Sequence, residues 1–229
     1  MNRGKSRALV IFSGGQDSTT CLYWAAKNFE SVEAITFVYG QRHEVELRCA
    51  EKICQAENIP WSLVDLSFVS SLNSNALVNQ SEEIVERGPY QNLPSTFVPG
   101  RNVFFLSVAA AYAAPRGIRD LVLGVCQTDY SGYPDCRKEF IDSMEQSLSL
   151  ALDHEMNLHT PLMDLTKAET FEKADQLGAL NQVLEGSHTC YRGERTRLNE
   201  WGYGCGECPA CVLRKKGFQE WKQSRLLTD

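Results

Sequence analysis

The sequence predicts a doubly wound α/β fold, built on a mainly parallel sheet and carrying a metal-binding segment toward its C-terminus. Three observations point there. Short continuous apolar runs recur between segments of helical periodicity. The first run opens directly into Ser13-Gly14-Gly15-Gln16-Asp17-Ser18-Thr19, and four cysteines gather between residues 190 and 211. Strands that are apolar throughout are those covered by helices on both faces, and strand–helix alternation is the pattern of a parallel sheet. Such sheets bind ligands beyond the carboxyl ends of their strands.

Ala8 to Phe12 is the first such strand, followed by a helix from Ser18 to Phe29. Glu33 to Tyr39 reads as a second strand. Val45, Cys49 and Ile53 then recur at helical spacing, with Ala50 and Cys54 widening the stripe. Trp61 to Leu66 is a third strand. The polar stretch from Ser67 to Ser95 reads as a long loop with at most a short helix, a length typical of functional lids. Asn102 to Ala114 is apolar enough for a buried helix, stopped by Pro115 and Gly117. Asp120 to Val125 is another buried strand, and a second long loop, Cys126 to Arg137, leads into a helix beginning near Lys138. Lys167 to Leu177 is a short helix with Gly178 as its C-cap. From His188 the periodicity gives way to glycine and cysteine. With no internal repeat, low-complexity tract or linker, residues 1–229 read as one domain that includes the cysteine segment, 188–229.

Composition narrows the class. Hydrophobic content of 43% and charged content of 23% are those of a globular chain. At 229 residues, a globule buries roughly 70–75% of its unfolded surface. A net charge of −6 argues against nucleic acid as the main partner, because phosphate backbones select basic surfaces. Arg214, Lys215 and Lys216 form a local basic trio that reads as a solvated helix end. The N-terminal apolar run is shorter than the roughly 7–15 residues of a secretory h-region, and no stretch approaches the roughly 20 of a membrane span. The expectation is a cytoplasmic chain without a membrane partner, in a compartment where cysteines bind metal rather than pair.

In the Ser13–Thr19 loop, two glycines let the backbone approach an anion, while its N–H groups, the following helix N-terminus and the Ser13, Ser18 and Thr19 hydroxyls can converge on phosphate. Asp17 adds a hard oxygen ligand for Mg²⁺. The loop has neither the GxxxxGK[ST] spacing of a Walker loop nor GxGxxG. In the second motif, fourteen residues separate Cys190 from Cys205-x-x-Cys208-x-x-Cys211, and Gly202, Gly204 and Gly206 supply tight turns. Four thiolates suit a closed tetrahedral Zn²⁺ site. An iron–sulfur cluster is the rival, but the fourth cysteine and proline of the ferredoxin run are missing. Cys21, Cys49 and Cys54 fit core stripes, and Cys126 and Cys136 read as small buried fillers beside a loop.

The loop resembles that of the ATP pyrophosphatase (PP-loop) superfamily, which has an adenine-nucleotide alpha-hydrolase-like fold and splits ATP at its α-phosphate. Further strings narrow the match: Phe97-Val98-Pro99-Gly100-Arg101-Asn102, the stretch Gly124 to Arg137, and Thr189-Cys190-Tyr191. Together with Phe12 to Leu22 and the terminal CxxCxxC, they are similar to the 7-cyano-7-deazaguanine synthase family, from about residue 8 to about residue 218.

That resemblance implies a C–N bond-forming ligase in queuosine biosynthesis. It would convert 7-carboxy-7-deazaguanine and ammonium to the nitrile preQ0, with ATP and Mg²⁺ as co-substrate and one Zn²⁺ per chain, as a homodimer. It assigns ATP to Phe12, Ser13, Gly14, Gly15, Gln16, Asp17, Ser18, Thr19, Thr20, Cys21 and Leu22, and zinc to Cys190, Cys205, Cys208 and Cys211. Asp17, Lys167 and Arg101 are the expected catalytic groups. Lys167 would neutralise departing phosphate or else be a solvated helix-start lysine. Arg101 would hold phosphate or the substrate carboxylate or else close the Pro-Gly turn. Tyr130, Tyr133 and Asp135 stand where a purine-like ring could be stacked and read, or be merely packed. Asp164 departs from the aromatic that family members often carry. A tRNA-thiolating enzyme would want a basic face that this chain lacks, a non-catalytic zinc module would not keep the loop intact, and a transferase to another amine remains open.

Overall fold

β1 (Arg7–Ile11) lies at the centre of a sheet, and its side chains explain the position. Ala8, Leu9 and Val10 are fully buried, with Leu9 in the core on one face and Ala8 and Val10 in the core on the other. The computed structural model describes residues 6–40, 44–69, 93, 95–127 and 132–227. After β1 come α1 (Gln16–Asn28), β2 (Ser31–Val38), α2 (Val45–Ala56), β3 (Trp61–Asp65), α3 (Arg101–Ala113) and β4 (Asp120–Leu123). Then follow α4 (Lys138–Leu152), β5 (Asn157–His159), α5 (Lys167–Gln176), a small hairpin of β6 (Leu198–Asn199) and β7 (Gly202–Tyr203), and α6 (Pro209–Leu226).

The large sheet has the order β3-β2-β1-β4-β5 with every pairing parallel. The chain walks outward from β1 to β3, then crosses to β4 on the other side. The strand order therefore reverses between β1 and β4, opening a crevice at their carboxyl ends. Leu106 and Ala109 of α3 and Ile141 and Leu148 of α4 pack on one face, with Leu9 and Leu121. Leu22 of α1 and Ile53 of α2 pack on the other, with Val10 and Val122. A third cluster joins α5, α6 and the cysteine segment through Phe171, Val183, Trp201, Phe218 and Trp221.

The observed elements match the predicted alternation to within two residues at most ends, and Gly178 takes the expected left-handed conformation at φ 72°. Three differences have physical reasons. β5 is an edge strand of three half-buried residues, Asn157-Leu158-His159, without an apolar run to announce it. α6 buries Ala210, Cys211, Arg214, Gly217, Phe218 and Trp221 at helical spacing, but an arginine and a glycine interrupt the stripe. Arg214 is accordingly not part of a solvated helix end: it is 1% exposed in mid-helix, whereas Lys215 and Lys216 do face solvent. Most of the predicted lid from Ser67 to Ser95, and Tyr130, lie outside the described residues. Among the described residues, no helix is long and apolar enough to cross a membrane.

Candidate active site and metal centre

The loop after β1 is shaped by what lies behind it. Gly14 has φ 80°, and a Cβ there would stand 2.4 Å from the Glu46 carbonyl oxygen and 2.7 Å from the Ala50 nitrogen. Both are backbone atoms of α2, so only glycine fits. Gly15 is the N-cap of α1, which therefore starts two residues earlier than its apolar pattern suggests and puts Asp17 and Ser18 in its first turn. The Ser13 and Ser18 hydroxyl oxygens are 3.1 Å apart at the cavity wall, and the Ser18 hydroxyl also donates to the Gly15 carbonyl at 3.1 Å.

The Thr19 hydroxyl, expected at the phosphate with those of Ser13 and Ser18, instead donates to the Gly15 carbonyl at 2.8 Å and is fully buried. Thr20 donates likewise to Gln16, and Cys21 and Leu22 belong to the core. Within the Phe12–Leu22 stretch, Phe12, Ser13, Gly15, Gln16, Asp17 and Ser18 line the crevice, and Thr19 to Leu22 form its rear support.

The crevice is a cavity of about 670 Å³ that also collects Glu46, Arg101, Tyr133, Lys167, His188 and Thr189. Lys167 is the first residue of α5, whose start is fixed by a capping box: the Thr166 hydroxyl accepts from the Glu169 N–H, and the Glu169 carboxylate accepts from the Thr166 N–H. From there its Nζ reaches Asp17 Oδ2 at 2.6 Å. Gly217 of α6 packs so close that a Cβ on it would meet Lys167 Cβ at 2.4 Å. Asp17 Oδ1, Gln16 Nε2 and His188 Nδ1 are buried without a hydrogen-bond partner among the described residues. Orphaned buried polar atoms are uncommon, and three beside one loop mark a place where a polar ligand completes the bonding.

Arg101 opens α3 after Gly100, with its guanidinium 5.8 Å from the Tyr39 ring centroid. Burial works against its charge, but the Tyr39 phenol and the Asp135 carboxylate more than offset this and hold its pKa above the ordinary value. Asp135 is buried behind the cavity wall, accepting from the Asn102 N–H at 3.1 Å through Oδ2. The carboxylate thus supports the start of α3 and does not line the crevice, while its Oδ1 is buried without a hydrogen-bond partner among the described residues. Tyr133 lines the crevice, pairs its hydroxyl with that of Thr96 at 2.6 Å, and packs its ring on Phe97. Cys126 and Cys136 also line the wall, Cys126 donating its S–H to the Leu165 carbonyl. Asp164 is exposed and accepts from the Gln127 side chain at 2.6 Å.

Sequence reasoning singled out neither Glu46 nor His188. Burial raises the Glu46 carboxyl to about 7 against the nearby Arg101 charge. On an amphipathic helix a glutamate reads as solvated, so nothing in α2 signals it. His188 hides beside the cysteine motif, although its proximity to Cys190 placed it near a site in any case.

Cys190, Cys205, Cys208 and Cys211 bring their sulfurs within 4.8 Å of one another. Cys190–Cys208 and Cys205–Cys211 are each 3.9 Å apart, close to the edge of about 3.8 Å that a tetrahedron of 2.3 Å metal–sulfur bonds requires. The Glu207 and Cys208 N–H groups donate to the Cys205 sulfur, at 3.4 and 3.3 Å. The donor set can hold one metal ion, and N–H donors to sulfur are the outer support such sites use.

The family described as "Queuosine biosynthesis protein QueC" matches residues 7–222. A 7-cyano-7-deazaguanine synthase of Lysinibacillus sphaericus (strain C3-41) is 50% identical over 221 residues, covering 96% of this chain and 98% of its own. The synthase of the same name from Wolinella succinogenes is 48% identical over 222 residues, covering 96% and 95%. Among solved structures, a 4-thiouridine synthetase in complex with RNA and ATP superposes with a TM-score of 0.52 at 18% identity, over 93% of this chain and 53% of that one. At that identity the likeness speaks for the fold.

Proposed function

The chain belongs to the queuosine biosynthesis protein QueC family, and on that premise we propose that it converts 7-carboxy-7-deazaguanine and ammonia to 7-cyano-7-deazaguanine at the cost of ATP. The observation that carries the reading is the shared crevice: an anion-binding loop with three orphaned polar atoms opens into the same cavity as Arg101 and Tyr133.

A carboxylate oxygen is a poor leaving group, so the substrate carboxylate first attacks the α-phosphorus of ATP. The new P–O bond forms as the bond to pyrophosphate breaks. Ammonia then attacks the acyl carbon, AMP leaves, and one proton passes to solvent, giving the carboxamide. The amide oxygen attacks a second ATP in the same way, and loss of AMP and two protons leaves the nitrile. In this scheme the Phe12–Leu22 stretch takes ATP, with the loop N–H groups and the Ser13 and Ser18 hydroxyls on the pyrophosphate. Preorganised donors aimed at developing charge supply much of such catalysis. Lys167 faces the departing phosphate, and Asp17 orients Lys167 through Oδ2 while presenting Oδ1 to Mg²⁺. Arg101 takes the substrate carboxylate, Tyr133 and Tyr130 form the surround of the deazaguanine ring, and Asp135 holds that wall from behind at the start of α3.

We assign zinc to the four cysteines, because the sulfur spacing suits a single ion, whereas a cluster of several irons holds its cysteines further apart. Bound there, zinc is closed off by four thiolates and supplies structural cross-linking rather than chemistry. The acidic charge balance supports small-molecule partners rather than nucleic acid, and the family resemblance supports a cytoplasmic homodimer.

The test incubates the protein with 7-carboxy-7-deazaguanine, ATP, Mg²⁺ and ammonium and follows products by mass spectrometry. The carboxamide should appear before the nitrile and should itself require ATP for conversion, with AMP and pyrophosphate released. ADP and phosphate as the sole nucleotide products would overturn adenylation. No nitrile with any nitrogen source would overturn the function.

A further inference from the structure

Two routes run from the cysteine centre to the loop after β1, and they meet at Thr189. The direct route is the backbone. Cys190 is a metal-site residue, its neighbour Thr189 accepts from the Gln16 N–H at 3.4 Å through Oγ1, and His188 donates its N–H to the Gly14 carbonyl at 2.9 Å. The second route runs through α6. Cys208 is its N-cap, Cys211 lies in its first turn, and Arg214 follows one turn on. Arg214 is 1% exposed and donates to the Trp201 carbonyl at 2.8 Å, the Val183 carbonyl at 2.5 Å and Thr189 Oγ1 at 3.1 Å.

The chemistry of that one oxygen is informative. A threonine hydroxyl has two acceptor positions and one O–H. Gln16 N–H and Arg214 Nη1 can only donate, so both acceptor positions are used. The O–H is left as a donor, and among the described residues none takes it. Thr189 lines the cavity beside the loop. The α2 backbone braces the loop at Gly14, and the 188–190 segment, which ends on a cysteine of the four-sulfur cluster, braces it at Gly14 and Gln16.

We propose that Thr189 is a positioning and phosphate-contacting residue through which the four-cysteine centre holds the pyrophosphate loop, so that zinc binding and nucleotide binding are thermodynamically linked. The inference rests on the loop being the pyrophosphate site, but not on the identity of the acid substrate. Linkage is reciprocal: whatever factor zinc adds to nucleotide affinity, the nucleotide must add to zinc affinity.

The experiment loads the whole protein with zinc and measures zinc loss to a competing chelator, with and without α,β-methylene-ATP and Mg²⁺. This analogue cannot be cleaved at the bond in question. In the wild type the nucleotide should tighten zinc retention about 5- to 20-fold, the range usual for coupled sites. Thr189→Val should weaken binding of the analogue by a similar factor and bring the coupling near unity, whereas Thr189→Ser, which keeps the hydroxyl, should retain both. Zinc retention indifferent to nucleotide in the wild type overturns the proposal, and this arm needs no variant to fold. So does a Thr189→Val protein that binds the analogue as tightly as wild type, or a Thr189→Ser protein that fails as Thr189→Val does. A protein that shows the coupling yet makes no nitrile refutes the functional reading alone.

Discussion

Lys167 Nζ lies 2.6 Å from Asp17 Oδ2, joining two helix N-termini whose residues are 150 positions apart in the chain. The lysine side chain is 12% exposed and the aspartate 25%, so the pair is largely sheltered. An unpaired cation at a helix start is opposed by the helix dipole, and Asp17 is what makes Lys167 tolerable there. The pairing presents one positive group and one free carboxylate oxygen side by side to whatever the loop binds.

Asp17→Asn should therefore damage two quantities. Removing one partner of a buried pair costs about 3–5 kcal/mol, and partial solvent access reduces this to about 1–3 kcal/mol here. Denaturant titration should show a loss of that size with a folded baseline intact. Turnover should fall at least about 100-fold, the usual effect of losing one preorganised electrostatic group. Wild-type turnover in the folded variant would remove Asp17 from the mechanism.

Gly217→Ala tests how Lys167 is held. Alanine is worth about 1 kcal/mol over glycine in a helix interior, so propensity alone predicts stabilisation. The added Cβ would stand 2.4 Å from Lys167 Cβ and 3.0 Å from its carbonyl carbon, which requires α5 and α6 to separate. Overpacking of this kind costs about 1–3 kcal/mol. The expected result is net destabilisation together with reduced turnover as Lys167 moves off Asp17. A stabilised, fully active variant would show that the helices separate without consequence.

Glu46→Gln should change how stability depends on pH. Burial raises the Glu46 carboxyl from 4.5 to about 7. The native state thus holds this proton more tightly than the unfolded chain. Its contribution is fully present below the unfolded value and is lost as pH rises through about 7. Glutamine removes that dependence. Melting curves should show the variant gaining on wild type between about pH 5 and about pH 8, and parallel curves would show that Glu46 stays solvated.

Metal analysis should find about one zinc per chain, the stoichiometry of a four-thiolate site. Cys208→Ser should lose it, and because serine caps a helix at least as well as cysteine, any new cut within 188–226 in limited proteolysis would report loss of the metal cross-link rather than of the α6 cap. Iron together with visible absorbance would replace zinc with a different centre.

Local chemistry wrote much of this molecule plainly. The apolar run before Ser13-Gly14-Gly15 reads as a buried strand and folds as β1, and the Cys205-x-x-Cys208-x-x-Cys211 spacing reads as a metal knuckle and brings its sulfurs together with that of Cys190. Both signals are short-range, carried by residues a few positions apart, and so survive in one dimension. Other features depend on long-range placement. That Asp17 and Lys167 face one another, that Asp135 supports α3 rather than the crevice, and that Arg214 is buried on Thr189 are outcomes of how α5 and α6 pack against α1 and the loop. A charged residue in a sequence reads as solvated because burying it is costly. Only the folded chain shows the carbonyls and the hydroxyl that accept its N–H groups and offset that cost.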